Sequence, residues 1–400
     1  MAIGKGAYLR QITAANPLPS VSVGTRIDGS SPPSVFIGSW NYPKVFAGPM
    51  IAPLHGDTRV MDMPESWIPD QRSQEEIISY RMSLVRGKWQ QDVRDLDCRF
   101  IGQLQEIALA NSSIESEAFF SHVPTGFSLG EEKTPFGPSA GLTCLEIEAP
   151  KWNPHLEKVY NDTDLPAAEA ILSLHAAGKP FTAIQKALSA GTMGRGKARK
   201  LVPTRWSITA CDTTIANRLL AEVRGQEVID TVRMHQFSSL NNYYVVLLLP
   251  TPWQYEWMEA FLHIAGHEEL LFSDYEENRG KREYSSVGGC YYSCKMAVLD
   301  ALSREKKQAG VIVLREARTG YVPMGVFNVR ENVRNAMLQP PEYFEDLASA
   351  LASISHKFWL PISRFIREST LLAESFRGKQ KKLSDFTGLD HQNSMLPLEG

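Results

Sequence analysis

The residues with the most chemical content lie between Met193 and Thr214. The first part, M-G-R-G-K-A-R-K, places Arg195, Lys197, Arg199 and Lys200 among glycines. Cations in such a loop suit phosphate contacts rather than base reading, because they meet a backbone charge that carries no sequence information. A solvated basic loop is the plainer alternative. The second part, from Lys200 to Thr214, reads K-L-V-P-T-R-W-S-I-T-A-C-D-T-T. Pro203 disfavours helix at Val202 and removes a backbone donor, so a strand entered from a loop is expected here. Arg205, Ser207 and Thr209 would then share one side, with Trp206, Ile208 and Ala210 on the other. A guanidinium beside two hydroxyls suits phosphate or carboxylate; an exposed strand face with a structural Arg–Asp pair is the alternative.

Other candidate groups lie further along. Tyr255 to His263 reads as a helix on which Glu256 and Glu259, three apart, share a face and offer a metal or acid–base pair, or a solvated one. Gly288-Gly289 opens a predicted helix over Cys290 to Arg304, whose free amides could take an anion, although the fuller phosphate-loop spacing is missing. Cys290 and Cys294 share a face of that helix and, lacking further ligands nearby, read as small buried thiols rather than a zinc site. Val311 to Leu314 and Gly325 to Val329 read as strands ending in Arg315-Glu316 and Arg330-Glu331. Those ends would line one cleft, adding Arg315 and Arg330 to the phosphate candidates, or form a salt-bridge network.

The elements that must position these groups have their own signals. Met1 to Ser34 is rich in Gly, Ser and Pro and is expected to be an extended arm. Ser34 to Ile37 and Lys44 to Ala47 read as the strands of a hairpin. Ser73 begins a capping pattern for a helix that buries Ile77 and Ile78, and Phe100 to Ala110 is a second helix candidate. Val123 to Ala140 is loop-like. Ala167 to Ala177 and Phe181 to Ala190 read as a helical pair split by Gly178-Lys179-Pro180. Tyr243 to Leu249 is a buried strand, and Tyr343 to Phe376 is helical with a break at Pro361. The expected fold is mixed α/β or α+β, a central mixed sheet with flanking helices. Its parts are an arm (1–33), a core (34–340, with 166–200 as helical hairpin and basic loop), C-terminal helices (341–378) and a flexible tail (379–400).

Composition narrows the function classes. Apolar residues make up 43% and charged residues 22% of the 400, as in globular proteins with a sizeable core. A net charge of −3 gives no global attraction to nucleic acid, so any such contact needs a local basic patch. No apolar run approaches a membrane span, and the start lacks a hydrophobic signal core, which together point to the cytoplasm. The 5 cysteines are scattered and odd in number, against a disulfide framework. The sequence specifies no cofactor and no metal.

Five stretches together resemble one family. V-P-T-R-W-S-I-T-A with a following acidic residue is similar to the central signature of the archaeal Nre proteins, a DNA-repair group. Ser31 to Pro49, Tyr244 to Glu259, Gly288 to Leu299, and Gln308 to Arg334 agree with it, so the resemblance spans roughly residues 30 to 390. A four-cysteine zinc module common at the N-terminus of that family has no counterpart, because no cysteine precedes Cys98. Gln380, Leu383 and Phe386 have the spacing of a box that binds the sliding clamp PCNA, in which residues three apart in a 3₁₀ turn enter one pocket. Thr387 replaces the second aromatic, and members of the family bear such a motif. The resemblance implies a DNA-repair factor tethered to the clamp that binds DNA or a nucleotide. A processing enzyme is the alternative, with Arg205 on a phosphate and Asp212, Glu283 or Glu316 as carboxylate.

Overall fold

The protein was described from a computed structural model, which defines residues 5–15, 20–129, 134–281 and 283–375. Helix α1 (Lys5–Ala15), strands β1 (Arg26–Ser31), β2 (Val35–Ile37) and β3 (Lys44–Ile51), and helices α2 (Pro64–Trp67) and α3 (Gln74–Met82) come first. Strand β4 (Val85–Asp92), helix α4 (Arg99–Leu109) and strands β5 (Ile114–Phe120) and β6 (Ser139–Ile147) complete the first half. The middle is helical: α5 (Pro154–Asn161), α6 (Ala167–Ala176), α7 (Phe181–Ser189) and α8 (Thr204–Val223). Strands β7 (Glu227–Val228), β8 (Val232–Ser239), β9 (Asn242–Leu249), β10 (Tyr255–Leu262) and β11 (Glu269–Glu276) follow, then helix α9 (Gly289–Glu305). The chain closes with β12 (Lys307–Gln308), β13 (Gly310–Ala317), α10 (Phe327–Leu338), β14 (Glu342–Phe344), α11 (Leu347–Ile354) and α12 (Ile362–Glu368).

The fold is mixed α and β, as the sequence implies, and its strands form two six-stranded sheets and a two-stranded β7–β12 ladder. The first runs β1-β5-β6-β4-β3-β2 and the second β11-β10-β13-β9-β8-β14, six strands each. Each contains one parallel pair, β4–β6 and β10–β13, in an otherwise antiparallel ladder.

Strand alternation sorts the second sheet's side chains to two faces. Tyr244, Val246, Trp257, Val311 and Val313 pack with α6 to α10, while Val245, Leu247, Met258, Ile312 and Leu314 pack with α11, α12 and the residues beyond. The sheet is therefore covered on both faces, which explains the continuous apolar run of β9. Local signals locate several elements. Ser73 and Glu76 form the capping box of α3, β2 and β3 pair as a hairpin, and Pro180 precedes the first residue of α7.

Five expectations are overturned. Residues 5–15 and 26–31 are helix and strand rather than an extended arm; Tyr8 and Ile12 of α1 are buried against Phe261 and Tyr321. Arg205 to Cys211 is the start of helix α8, not a strand. Pro203 caps it, its carbonyl accepting from Ser207 N at 2.9 Å, and needs no amide of its own there. Tyr255 to Leu262 is strand β10, so Glu256 and Glu259 point to opposite faces and cannot work as a pair. Gly325 to Val329 leads into helix α10, which leaves Arg330 and Glu331 on a helix and not at a strand end. Residues 343–376 are also not all helical, since β14 pairs with β8.

Candidate functional site

The two sheets meet where α2, α3, α7, α8 and α10 converge, and ion pairs fill that seam. Asp62, in a short 3₁₀ turn (Arg59–Asp62), is ion-paired with Arg81 of α3 and accepts from the Ser34 hydroxyl. Lys186 of α7 reaches its carboxylate at 2.6 Å and its carbonyl at 2.9 Å. Burial alone would raise this carboxyl, but Arg81 and Lys186 outweigh it and hold it below the ordinary carboxylate range. Beside this cluster, Glu65 accepts from the Thr182 amide at 2.6 Å and so caps the exposed end of α7. A small cavity of about 40 Å³ opens between Ser34, Asp62, Lys186, Thr204, Phe327 and Arg330. That is room for one or two waters, not for a nucleotide.

Helix α8 divides the earlier candidates. Asp212 is buried and takes Arg330 Nε at 3.1 Å, Arg330 Nη2 at 2.7 Å and the Ser293 hydroxyl at 2.5 Å. The Arg330 guanidinium lies 3.5 Å from the Phe181 ring centroid. Arg205 and Trp206, in the first turn, are exposed. Asp212 therefore pairs with Arg330.

The other carboxylates are apart as well. Glu316 lies on the opposite face of the second sheet, where it accepts from the amides of Trp359 (3.2 Å) and Leu360 (2.8 Å) and from Arg318. Glu283 is exposed in the loop beside Tyr284. Asp212 and Glu316 are thus both committed away from Arg205.

Of the phosphate candidates, Arg195, Lys197, Lys200 and Arg205 are exposed. Arg199 is not available in the same way. Its guanidinium donates to the carbonyls of Tyr160 (2.7 Å) and Asp162 (2.9 Å), closing the C-terminal end of α5. Arg315 is enclosed, 2.9 Å from Glu259 and packed among the rings of Tyr244, Phe261 and Tyr321. Arg330 belongs to the interior pair. Arg199, Arg315 and Arg330 are accordingly structural cations. Gly191, with φ +73°, lies where a side chain would bring a Cβ within 2.9 Å of the Lys200 carbonyl oxygen, so the ends of the basic loop approach closely at a residue without one. Cys290 and Cys294 are buried as expected, and burial pushes the Cys294 thiol up. Among the described residues no cluster of metal-ligating side chains occurs, and no helix is long and apolar enough to cross a membrane. Gln380, Leu383 and Phe386 lie outside the described residues.

Sequence reasoning missed Ser34, Asp62, Arg81 and Lys186. Ser34, Thr204 and Arg330 fall in three of the stretches that carry the family resemblance, and their meeting at one cavity was a usable signal. Asp62, Arg81 and Lys186 gave none, since Asp62 and Lys186 are 124 residues apart.

Fold and site define a two-sheet α+β protein with an ionic seam and one exposed helix flank bearing cations and aromatic rings. The sequence model described as archaeal Nre, N-terminal, matches residues 7–266, and that described as archaeal Nre, C-terminal, matches residues 276–386. The chain belongs to the archaeal Nre family. It is 38% identical over 377 residues to the DNA repair protein NreB of Archaeoglobus fulgidus, covering 92% of this chain and 94% of that one. It is 33% identical over 348 residues to the DNA repair protein NreA of the same organism, covering 85% and 87%. The DNA repair protein NreA of Haloferax volcanii is 29% identical over 385 residues, covering 91% and 89%. No solved structure matches the chain.

Proposed function

We propose that this chain is a DNA repair protein that engages DNA through backbone phosphates and is recruited to the sliding clamp PCNA through Gln380, Leu383 and Phe386. The names of its relatives supply the repair context. The observation that carries the DNA contact is the exposed series Arg195, Lys197, Lys200 and Arg205, leading directly into Trp206 on α8. Phosphate binding releases counterions, so affinity falls with salt in proportion to the number of contacts. Neutralising Arg195, Lys197 and Lys200 together should lower the log–log salt slope by up to about three. Arg199→Ala should leave that slope unchanged, because its guanidinium is spent on α5. A triple variant with the wild-type slope takes the loop out of the interface.

The alternative, a processing enzyme using Arg205 with Asp212, Glu283 or Glu316, has less support. Asp212 and Glu316 are buried and committed to structural partners, on opposite sides of a sheet. An adaptor that holds DNA and the clamp needs no such assembly.

A further inference from the structure

We propose that the outer flank of α8 is a binding track for unpaired, single-stranded nucleic acid, with Trp206 and Tyr284 as base-stacking platforms. The proposal deepens the DNA-binding reading and rests on it.

Two open cavities lie end to end along this helix and share Thr213. One, of about 560 Å³, runs from Arg205 and Trp206 past Thr209 to Tyr284. The other, of about 350 Å³, continues past Asn217 and Ala221 to Arg224, with Arg279 on its far wall. Arg205, Thr209, Thr213, Asn217 and Ala221 recur every four residues, so they form one stripe, and Arg224 closes it. Hydroxyls and small side chains make the floor, and a guanidinium stands at each end. From Arg205 to Arg224 the helix rises about 28 Å, enough for a strand of about four nucleotides, the short end of single-strand sites.

The aromatic rings supply the second observation. Trp206 is 45% and Tyr284 55% exposed, and both border the same cavity. Each is backed by another ring, Trp206 by Tyr42 at 5.0 Å and Tyr284 by Tyr292 at 5.2 Å. Backing limits the motion of each ring at the edge of the cavity. Stacking on such a ring accepts every base, but only a base released from its duplex neighbours can reach the ring.

The charge of the track suits a polyanion. Arg205, Arg224 and Arg279 are exposed along it. Of the carboxylates beside it, Glu276 and Asp274 are ion-paired, while Glu283 stands exposed next to Tyr284. Glu276 is held by Lys295 at 2.5 Å and by Trp253 and Tyr291, and Asp274 by Lys281 at 2.5 Å and by Ser285.

The test is fluorescence anisotropy of the full chain with a short labelled oligothymidylate and with a duplex of equal length. Trp206→Ala/Tyr284→Ala removes two stacking platforms and should weaken the single strand by about thirtyfold or more, and change duplex binding by no more than about twofold. Trp206→Phe should recover most of the loss, because it restores a flat ring at an exposed position where folding is not at issue. Arg224→Ala/Arg279→Ala should reduce the salt slope for the single strand by up to about 1.4. Wild-type affinity in the double aromatic variant overturns the track. So does displacement of the oligomer by polyglutamate of equal charge, which would make the groove a seat for any polyanion or acidic protein segment. A wild-type protein that binds duplex but no single strand sinks this inference alone, whereas one that binds no DNA at all sinks the underlying reading with it.

Discussion

Asp212 of α8 and Arg330 of α10 face each other through two hydrogen bonds, Nε to Oδ1 at 3.1 Å and Nη2 to Oδ2 at 2.7 Å, inside a fully buried seam. Ser293 of α9 donates to the same carboxylate, so three helices far apart in sequence are joined at one point. Removing one partner leaves an uncompensated charge in the interior. Asp212→Ala or Arg330→Ala should each cost about 3–5 kcal/mol of stability. An apolar pair of similar volume, Asp212→Leu with Arg330→Met, should recover much of that loss, as replaced buried pairs commonly do. Urea unfolding decides it: single variants within about 0.5 kcal/mol of the wild type would show that the pair is not structural.

Glu331, one residue on, faces Arg334 at 2.9 Å, with Arg330 and Glu65 also within its field. Burial pushes its carboxyl up to about 7, against the downward pull of the arginines. The folded state therefore holds this proton more tightly than the unfolded chain. Its contribution to stability is complete below the ordinary glutamate range and is lost as pH rises through about 7. Glu331→Gln should match the wild type near pH 5 and exceed it by about 1–3 kcal/mol at pH 8. Parallel pH–stability curves for the two proteins would falsify this assignment.

The contrast between what the sequence reveals here and what it hides follows from distance along the chain. The α3 capping box, the β2–β3 hairpin, the α6–α7 pair and the buried β9 are local patterns, and each is legible. The start of helix α8 is not, because Pro203 and the β-branched Ile208 and Thr209 imitate a strand entered from a loop, whereas Asp212 to Arg224 reads as helix. Only the recurrence of Ser207, Cys211, Ile215, Leu219 and Val223 at four-residue steps, all buried, reports the true period. In β10 the error runs the other way. Glu256 and Glu259 looked like an amphipathic helix face, yet each is a buried charge compensated from a distant part of the chain. Glu259 meets Arg315 and Lys5; Glu256 meets residues beyond α12. Such partners cannot be read from spacing, and the ionic seam at Asp62 was invisible for the same reason. The exposed cations and Trp206 were identifiable by type, whereas the flank that aligns them needed the helix.

Glu256 and Glu316 share the sheet face on which the C-terminal helices pack. Glu316 accepts from the Trp359 and Leu360 amides, and Glu256 from those of Thr370 (2.8 Å) and Leu371 (3.0 Å). Two interior carboxylates thus pin both ends of one segment by its backbone. Glu256→Ala or Glu316→Ala leaves two buried amides without acceptors, a loss on the order of 1–3 kcal/mol. Hydrogen exchange should quicken across residues 359–372 and stay slow in α9 on the other face. Equal acceleration in both places would mean global destabilisation instead of release of the segment.

Beyond the described residues, the proposed clamp box makes its own prediction. If Gln380, Leu383 and Phe386 bind PCNA, a peptide spanning Lys379 to Leu389 should bind it unaided. Leu383 and Phe386 would bury their side chains only in the complex, so truncation of each to alanine should cost on the order of 1–3 kcal/mol. Thr387→Phe should tighten binding by restoring a second aromatic anchor, while Lys381→Ala should change little because it falls between the anchor positions of the box. A short peptide loses conformational freedom on binding, and affinity in the micromolar range is expected. The full-length protein should bind as the peptide does if the box acts independently of the folded body. Calorimetry on both, with Leu383→Ala/Phe386→Ala as the control, separates the outcomes. Undiminished binding by that double variant would leave these residues without a role at the clamp.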